Sequence, residues 1–194
     1  MRSMWQTVCA TIRKVIADSG VAPSEIKGVS FSAHGKGLYA VDINGEPVRN
    51  GIISSDNRAM PEVRALKAAG VPEKIHPMSY QQLWPSHPAA ILRWFKDNDP
   101  EAYGRIGHVL MAHDWIRYRM TGHLGCEVTN ISGSNLFNQH SGAYDPALMA
   151  AFGLVASIAM GLGLVGYYGL AQMDEHLDEI AEVRIPLNLI RLAP

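Results

Sequence analysis

Two stretches decide the fold: Gly28-Val-Ser-Phe-Ser-Ala-His-Gly-Lys-Gly-Leu-Tyr-Ala-Val-Asp42 and Asn50-Gly-Ile-Ile-Ser-Ser-Asp-Asn-Arg-Ala59. In the first, strand-forming Val29 and Phe31 alternate with short residues, which predicts a strand over 27–32 that is buried on both faces. The apolar run ends at a polar turn, residues 34–37, in which glycines alternate with His and Lys. We call this turn the elbow.

An Asn44-Gly45 pair separates two apolar runs and predicts a β-hairpin. Closing the hairpin brings a second polar turn, residues 54–58, back toward the elbow. We call it the Asp56 turn. Ligands of open α/β sheets bind beyond the strand ends, so two such turns predict a site for a small polyhydroxylated molecule, a sugar. The alternative is that residues 34–37 form an ordinary surface turn and that Asp56 caps a helix starting near Arg58.

Composition excludes several classes of function. The 194 residues carry 17 Lys and Arg and a net charge of −1 with no basic cluster, so nucleic acid is not an expected partner. Cys9 and Cys126 are too few for a disulfide framework or a zinc site, which indicates a reducing, cytoplasmic compartment. The eight His residues show no metal-ligand spacing. Residues 1–19 are amphipathic and do not form a signal peptide.

Periodicity predicts helices that alternate with strands, which defines an α/β fold class. The predicted helices cover residues 1–19 and 61–69, begin at Ser86-His87-Pro88 and at Pro100, and cover 113–122. A buried strand is predicted over 107–111, and residues 75–85 are predicted to be irregular.

Six segments together carry a resemblance to a known family. They begin with Met4-Trp5-Gln6 and continue with residues 28–42, 54–59, 83–88, 108–122 and 129–138. In order and spacing they resemble the amino-terminal domain of the FGGY family of carbohydrate kinases, and within it the kinases of xylulose. The resemblance covers about residues 4–153.

This resemblance implies an actin-like, ribonuclease-H-like fold of two lobes, with ATP and Mg²⁺ between them and a small sugar, a ketopentose, on the first lobe. His34, Gly35 and Lys36 match positions that contact the sugar, and Asp56 matches a sugar-binding acid. An ionised Asp56 would accept hydrogen bonds from two vicinal hydroxyls, and Lys36 would hold an oxygen. Arg58 is a weaker candidate, and the alternative is that it begins the next helix.

The family's phosphate-binding turn and catalytic aspartate have no match in this chain. The elbow lacks the GxxxxGK[ST] spacing of a phosphate loop, and the surroundings of Asp114 match a structural helix. The sequence therefore predicts no catalytic, cofactor-binding or metal-binding residue, and residues 1–153 form a truncated kinase lobe that is inactive or nearly inactive alone.

Other aromatic and polar side chains receive a structural interpretation. Trp84, His87 and Trp94 are predicted to pack a helix against the sheet. For His87 alone, the alternative is that it faces a ligand. Three further polar residues are predicted to satisfy loop backbone groups: Asn130, Ser132 and Asn135.

The carboxy-terminal part changes character. No charged residue occurs in 146–173, and residues 154–173 are long enough to span a bilayer. The alternative is a buried helix of the kinase fold. Residues 174–194 predict an acidic amphipathic helix and tail, and about 156–186 resemble the first membrane helix region of methyl-accepting chemotaxis receptors. This predicts membrane contact through 154–173 and, as a second function, a membrane-attached sensory or sugar-binding module.

Overall fold

The computed structural model describes residues 1–154, which contain both helices and short strands. The helices are α1 (Arg2–Ser19), α2 (Met60–Ala68), α3 (Val71–Ser79), α4 (Pro88–Asn98), α5 (Pro100–Arg105), α6 (Ala112–Thr121), α7 (Val128–Ile131) and α8 (Pro146–Ala151). The strands are β1 (Tyr39–Val41), β2 (His108–Leu110), β3 (Phe137–Asn138) and β4 (Ala143–Tyr144). Short 3-10 turns cover Pro23–Glu25 and Ser132–Ser134.

Strand β1 lies at the centre of the described part. It pairs antiparallel with β2 in the register Tyr39 to Leu110 and Val41 to His108. On its other edge, isolated bridges join Val41 to Pro47 and Leu38 to Ile52. Both strand pairs within residues 1–154 are antiparallel. The mixture of helices and strands agrees with the prediction, whereas an open parallel sheet is not seen in this part.

The predicted hairpin is confirmed. The backbone N–H of Gly45 donates to the carbonyl oxygen of Asp42 over 3.0 Å, and the Asp42 carboxylate accepts from the N–H groups of Asn44 and Glu46. Gly45 has a φ of 81° and lies against the Tyr118 hydroxyl, so a side chain at this position would clash. Local turn chemistry therefore fixes the return of the chain.

The predicted strand over residues 27–32 is wrong. This segment has no strand pairing, and Val29 and Phe31 are 46% and 39% exposed. A strand needs a neighbour for its N–H and C=O groups, and none of the strands in residues 1–154 lies beside it. The elbow consequently precedes β1 in the structure and does not terminate a buried strand.

Most predicted helices are confirmed, with their termini where the sequence signals lie. Gly20 and Gly122 end α1 and α6 in the left-handed conformation. The irregular interpretation of residues 75–85 is wrong for its first part, because α3 continues to Ser79. Pro77 removes one helical donor only two residues before the end, while buried Val71, Ile75 and Ser79 recur at helical spacing.

The two faces of β1 bury separate hydrophobic clusters. Leu38 and Ala40 pack with α2, α3, α4 and α8, whose buried members include Val63, Ile75, Leu92 and Leu148. Tyr39 and Val41 pack with Trp115 and other residues of α6, and α1 covers this side with partly buried Trp5, Val8 and Ile12. This double burial makes β1 a rigid support for the elbow, which immediately precedes it.

The structure also bears on the predictions for the carboxy-terminal part. Leu154 is buried, and its N–H donates to the carbonyl oxygen of Met149 over 3.0 Å. Within residues 1–154, no helix combines the length and the apolar character needed to cross a membrane. The predicted span beyond Leu154, the acidic helix and the receptor-like segment lie outside the described residues.

Candidate functional site

Backbone hydrogen bonds on two sides fix the elbow. The N–H of Gly37 donates to the Ser86 carbonyl oxygen over 2.8 Å, and the next N–H, of Leu38, donates to the Ile52 carbonyl oxygen over 2.9 Å. Lys36 and Gly37 have φ angles of 66° and 78°. A Cβ on Gly37 would overlap the Ile52 carbonyl oxygen. The tight turn therefore requires glycine at position 37.

The His34 imidazole is held by the strand that follows it. Its Nε2 lies 3.2 Å from the hydroxyl oxygen of Tyr39, whose ring stacks on Trp115 at a centroid distance of 6.5 Å. Burial raises the pKa of Tyr39, so its hydroxyl keeps its proton at neutral pH. The Nδ1 atom of His34 is buried without a hydrogen-bond partner in the described residues.

Gly35 sits against the segment that follows α6. A Cβ on Gly35 would lie 3.3 Å from the Oδ1 atom of Asn130, and the Asn130 amide nitrogen is 3.4 Å from Nδ1 of His113. The predicted loop position of Asn130 is wrong, because the residue lies in the short helix α7, where it is a neighbour of the elbow.

The hairpin brings the Asp56 turn to the elbow through the backbone. The N–H of Asp56 donates to the Ile53 carbonyl oxygen over 3.1 Å. A Cβ atom on Gly37 would have two close neighbours from these segments. The Ile53 carbonyl carbon and Cε1 of His34 would each lie 3.2 Å from it. Ile53, the residue before the Asp56 turn, and the His34 ring therefore meet at Gly37.

Within the Asp56 turn, the Asp56 carboxylate binds Arg58. Oδ1 accepts from the backbone N–H and from Nε of Arg58, and Oδ2 accepts from Nη2, all at 2.9 Å. These hydrogen bonds lower the pKa of Asp56. The Arg58 guanidinium also lies 5.0 Å from the centre of the Trp94 ring. Helix α2 has Ala59 at its N-cap, so Asp56 is not a helix cap.

Behind the elbow lies a buried polar cluster of Ser86, His87 and Asn135. His87 is 2% exposed, and its Nδ1 is 2.7 Å from the Asn135 amide nitrogen, which also donates to the Gln82 carbonyl oxygen. Burial and the nearby charge of Lys36 lower the pKa of His87 to about 4. The imidazole is therefore neutral at physiological pH.

This polar cluster keeps buried atoms without partners. Ser86 Oγ, His87 Nε2 and Asn135 Oδ1 find no hydrogen bond within residues 1–154. Each such atom costs about 1–3 kcal/mol of stability unless something pairs with it. Asn135 does satisfy a backbone group, as predicted, because it donates to the Gln82 carbonyl oxygen. The predicted packing of Trp84 against the sheet is wrong, because Trp84 is 51% exposed. The signal that the sequence offered was the polar Ser-His pair before Pro88, whereas the left-handed conformation of Asn135, φ 63°, is visible only in the structure.

The remaining acidic candidate, Asp114, joins the start of α6 to the segment before α7. It is buried, and its carboxylate accepts from the N–H groups of Met111 over 3.1 Å and Glu127 over 2.8 Å. Burial raises its pKa. No cluster of three or more His, Cys, Asp or Glu side chains in residues 1–154 could hold a metal ion.

Comparisons with known proteins define the family. The sequence model of the FGGY family of carbohydrate kinases, N-terminal domain, matches residues 1–162. The chain belongs to this family. It is 48% identical over 159 residues to a probable L-xylulose kinase of Pasteurella multocida, covering 82% of this chain and 33% of the relative. It is 47% identical over 154 residues to the L-xylulose/3-keto-L-gulonate kinase of Escherichia coli, covering 79% and 31%.

Solved structures share the fold. A xylulose kinase from Brucella ovis superposes with a TM-score of 0.71 at 23% identity, covering 80% of this chain and 32% of that one. A ligand-bound xylulose kinase from Lactobacillus acidophilus gives 0.70 at 20% identity, covering 79% and 32%. The expected actin-like kinase fold is therefore confirmed for the matched part. The chain spans about a third of the length of the relatives it matches.

Proposed function

We propose that this chain is the sugar-recognition part of an ATP-dependent, cytoplasmic kinase for a ketopentose of the xylulose type. The observation that carries the proposal is the Leu38 to Ile52 bridge, which pairs the residue after the elbow with a residue two positions before the Asp56 turn. The near 50% identity to L-xylulose kinases supports the choice of sugar.

Each proposed site residue has a distinct role. Gly35 allows the sugar to approach the backbone, while His34 and Lys36 donate hydrogen bonds to its oxygens. Because Arg58 occupies three acceptor positions of Asp56, the carboxylate has one left on Oδ2. Asp56 therefore accepts from one sugar hydroxyl, and the outer N–H groups of Arg58 donate to the neighbouring oxygen. This replaces the expected chelation of two hydroxyls by Asp56.

The proposal gives this chain recognition and not phosphoryl transfer. In kinases, ATP with Mg²⁺ supplies the phosphoryl group and neutralises its charge. The family's phosphate-binding turn and catalytic aspartate have no match in this sequence, so we expect the chain by itself to be inactive or nearly inactive.

Calorimetry and a turnover assay test the two halves of the proposal. We expect the chain to bind L-xylulose and to release no measurable ADP from ATP with Mg²⁺. Asp56→Ala should weaken binding about tenfold, the equivalent of one charged hydrogen bond. Asp97→Ala is the matched control, because Asp97 also pairs with an arginine, Arg93, but lies on α4. Robust turnover would overturn the predicted inactivity, and absence of binding would overturn recognition.

An acidic sugar is a second substrate candidate. Among residues 1–154, no carboxylate lies within ion-pair distance of Lys36, so its charge is available to a ligand carboxylate. The name of the E. coli relative couples L-xylulose with 3-keto-L-gulonate. If the acid is the substrate, 3-keto-L-gulonate should bind more tightly than L-xylulose, and Lys36→Met should abolish that preference.

The alternative function is a membrane-attached sensory or sugar-binding module. It is supported by the charge-free run over residues 146–173. Sedimentation with liposomes tests it: the full chain should pellet with the vesicles, whereas recovery in the supernatant would contradict this function.

A further inference from the structure

The cluster of Ser86, His87 and Asn135 is joined to the elbow on two sides. The carbonyl group of Ser86 accepts the N–H of Gly37 over 2.8 Å. The charge of Lys36 acts on the neighbouring imidazole of His87. The cluster therefore touches the same turn that carries the proposed sugar-binding residues, although it comes from the start of α4 and from the loop before β3.

The hydrogen bonds determine which nitrogen of His87 carries the proton. The Gln82 carbonyl oxygen can only accept, so the group of Asn135 that faces it is the amide nitrogen. The same nitrogen lies 2.7 Å from Nδ1 of His87 and donates its second hydrogen there. Nδ1 is thus an acceptor, and the neutral ring carries its hydrogen on Nε2.

The unpartnered atoms then have complementary characters. His87 Nε2–H is a donor, Asn135 Oδ1 is an acceptor, and the Ser86 hydroxyl can be either. All three side chains are at least 98% buried. A buried set that offers both a donor and an acceptor matches a ligand with adjacent oxygens, such as an α-hydroxyketone or a vicinal diol.

We propose that Ser86, His87 and Asn135 form a second wall of the sugar site, with His87 Nε2–H donating to one ligand oxygen and Asn135 Oδ1 accepting from the neighbouring hydroxyl. This inference rests on the proposed ketopentose function and adds residues to its site. It also gives the site a basis for substrate specificity. The second wall recognises two adjacent uncharged oxygens of the sugar, and Lys36 supplies a positive charge.

The three atoms are covered in this structure, so the ligand reaches them only when the elbow moves. Lys36 is the residue suited to such movement, because a non-glycine residue with a φ of 66° is held in a sparsely populated conformation. Binding should therefore perturb the Gly37 amide, which bonds to Ser86, together with the His87 ring.

Nuclear magnetic resonance of the isotope-labelled full chain tests the proposal directly. At pH 7, the imidazole nitrogen spectrum should show His87 as the neutral form protonated on Nε2. Saturating L-xylulose should shift this Nε2 resonance and the Gly37 amide, and leave exposed His123 unchanged. A shift at Gly37 without any at His87 would overturn the second wall and leave the sugar-binding function standing. No shift at either residue would overturn both.

Variants supply an independent measurement by calorimetry. His87→Phe should weaken L-xylulose binding about tenfold, the equivalent of one hydrogen bond. His87→Gln, which keeps a donor and an acceptor, should restore most of the affinity. His123→Phe is the matched control and should bind like the parent chain. Equal affinity of the His87→Phe and parent chains would contradict the proposal, and the resonance of the parent chain decides the case if that variant unfolds.

Discussion

Asp56 and Arg58 form a bidentate ion pair within a single turn, with Oδ1 to Nε and Oδ2 to Nη2 both at 2.9 Å. Trp94 of α4 lies against the guanidinium from the side of the protein core. The acid proposed to bind sugar is therefore part of a preorganised pair, whose orientation is set before a ligand arrives.

The ion pair makes stability depend on pH. Arg58 lowers the pKa of Asp56 in the folded protein, so its contribution is present above the unfolded value of about 3.9 and is lost as pH falls through the folded value. Asp56→Asn should therefore lower the free energy of unfolding at pH 7 and have progressively less effect below about pH 4. Urea unfolding at both pH values measures this. If the Asp56→Asn variant were less stable than the parent chain by the same free energy at pH 7 and below about pH 4, the Asp56–Arg58 ion pair would be contradicted.

The titration of His87 should make the stability of the fold depend on pH in a higher range. Its pKa is lowered to about 4 in the folded protein, against about 6.5 when unfolded. The unfolded chain therefore takes up the proton first, and stability falls as pH drops from about 6.5 to about 4, by about 3 kcal/mol. Comparing unfolding free energies of the parent chain and His87→Gln across this window isolates the effect. An equal slope in both chains would show that His87 does not titrate in this way.

Gly37 should be intolerant of substitution. Its φ of 78° and its contact with the Ile52 carbonyl oxygen leave no room for a Cβ. Gly37→Ala should lower the free energy of unfolding by about 1–3 kcal/mol. The control is Gly104→Ala in α5, where a Cβ meets nothing within 4 Å and alanine favours the helix by about 1 kcal/mol. Chemical denaturation should thus give effects of opposite sign, and a neutral Gly37→Ala would refute the tight elbow.

The parts of the fold that the sequence predicts well are those with local causes. The Asn44-Gly45 hairpin and the end of α6 at Gly122 follow from turn and capping chemistry within a few residues. The strand over 27–32 fails because a strand depends on a partner elsewhere, which its own alternation of residues does not reveal.

The candidate site divides in the same way. The elbow and the Asp56 turn could be found because a hairpin joins them over a short length of chain. The contact of His87 with Asn135 joins residues that are 48 positions apart. The sequence around either residue does not indicate that the other lies beside it, so their shared buried cluster is visible only in the folded structure.

A crystal structure of the full chain with L-xylulose tests the central claim most directly. The account predicts the sugar between the elbow and the Asp56 turn, with its oxygens within hydrogen-bond distance of Lys36 Nζ and Asp56 Oδ2. A sugar bound elsewhere, with the elbow and the Asp56 turn both free of contact to it, would contradict the account.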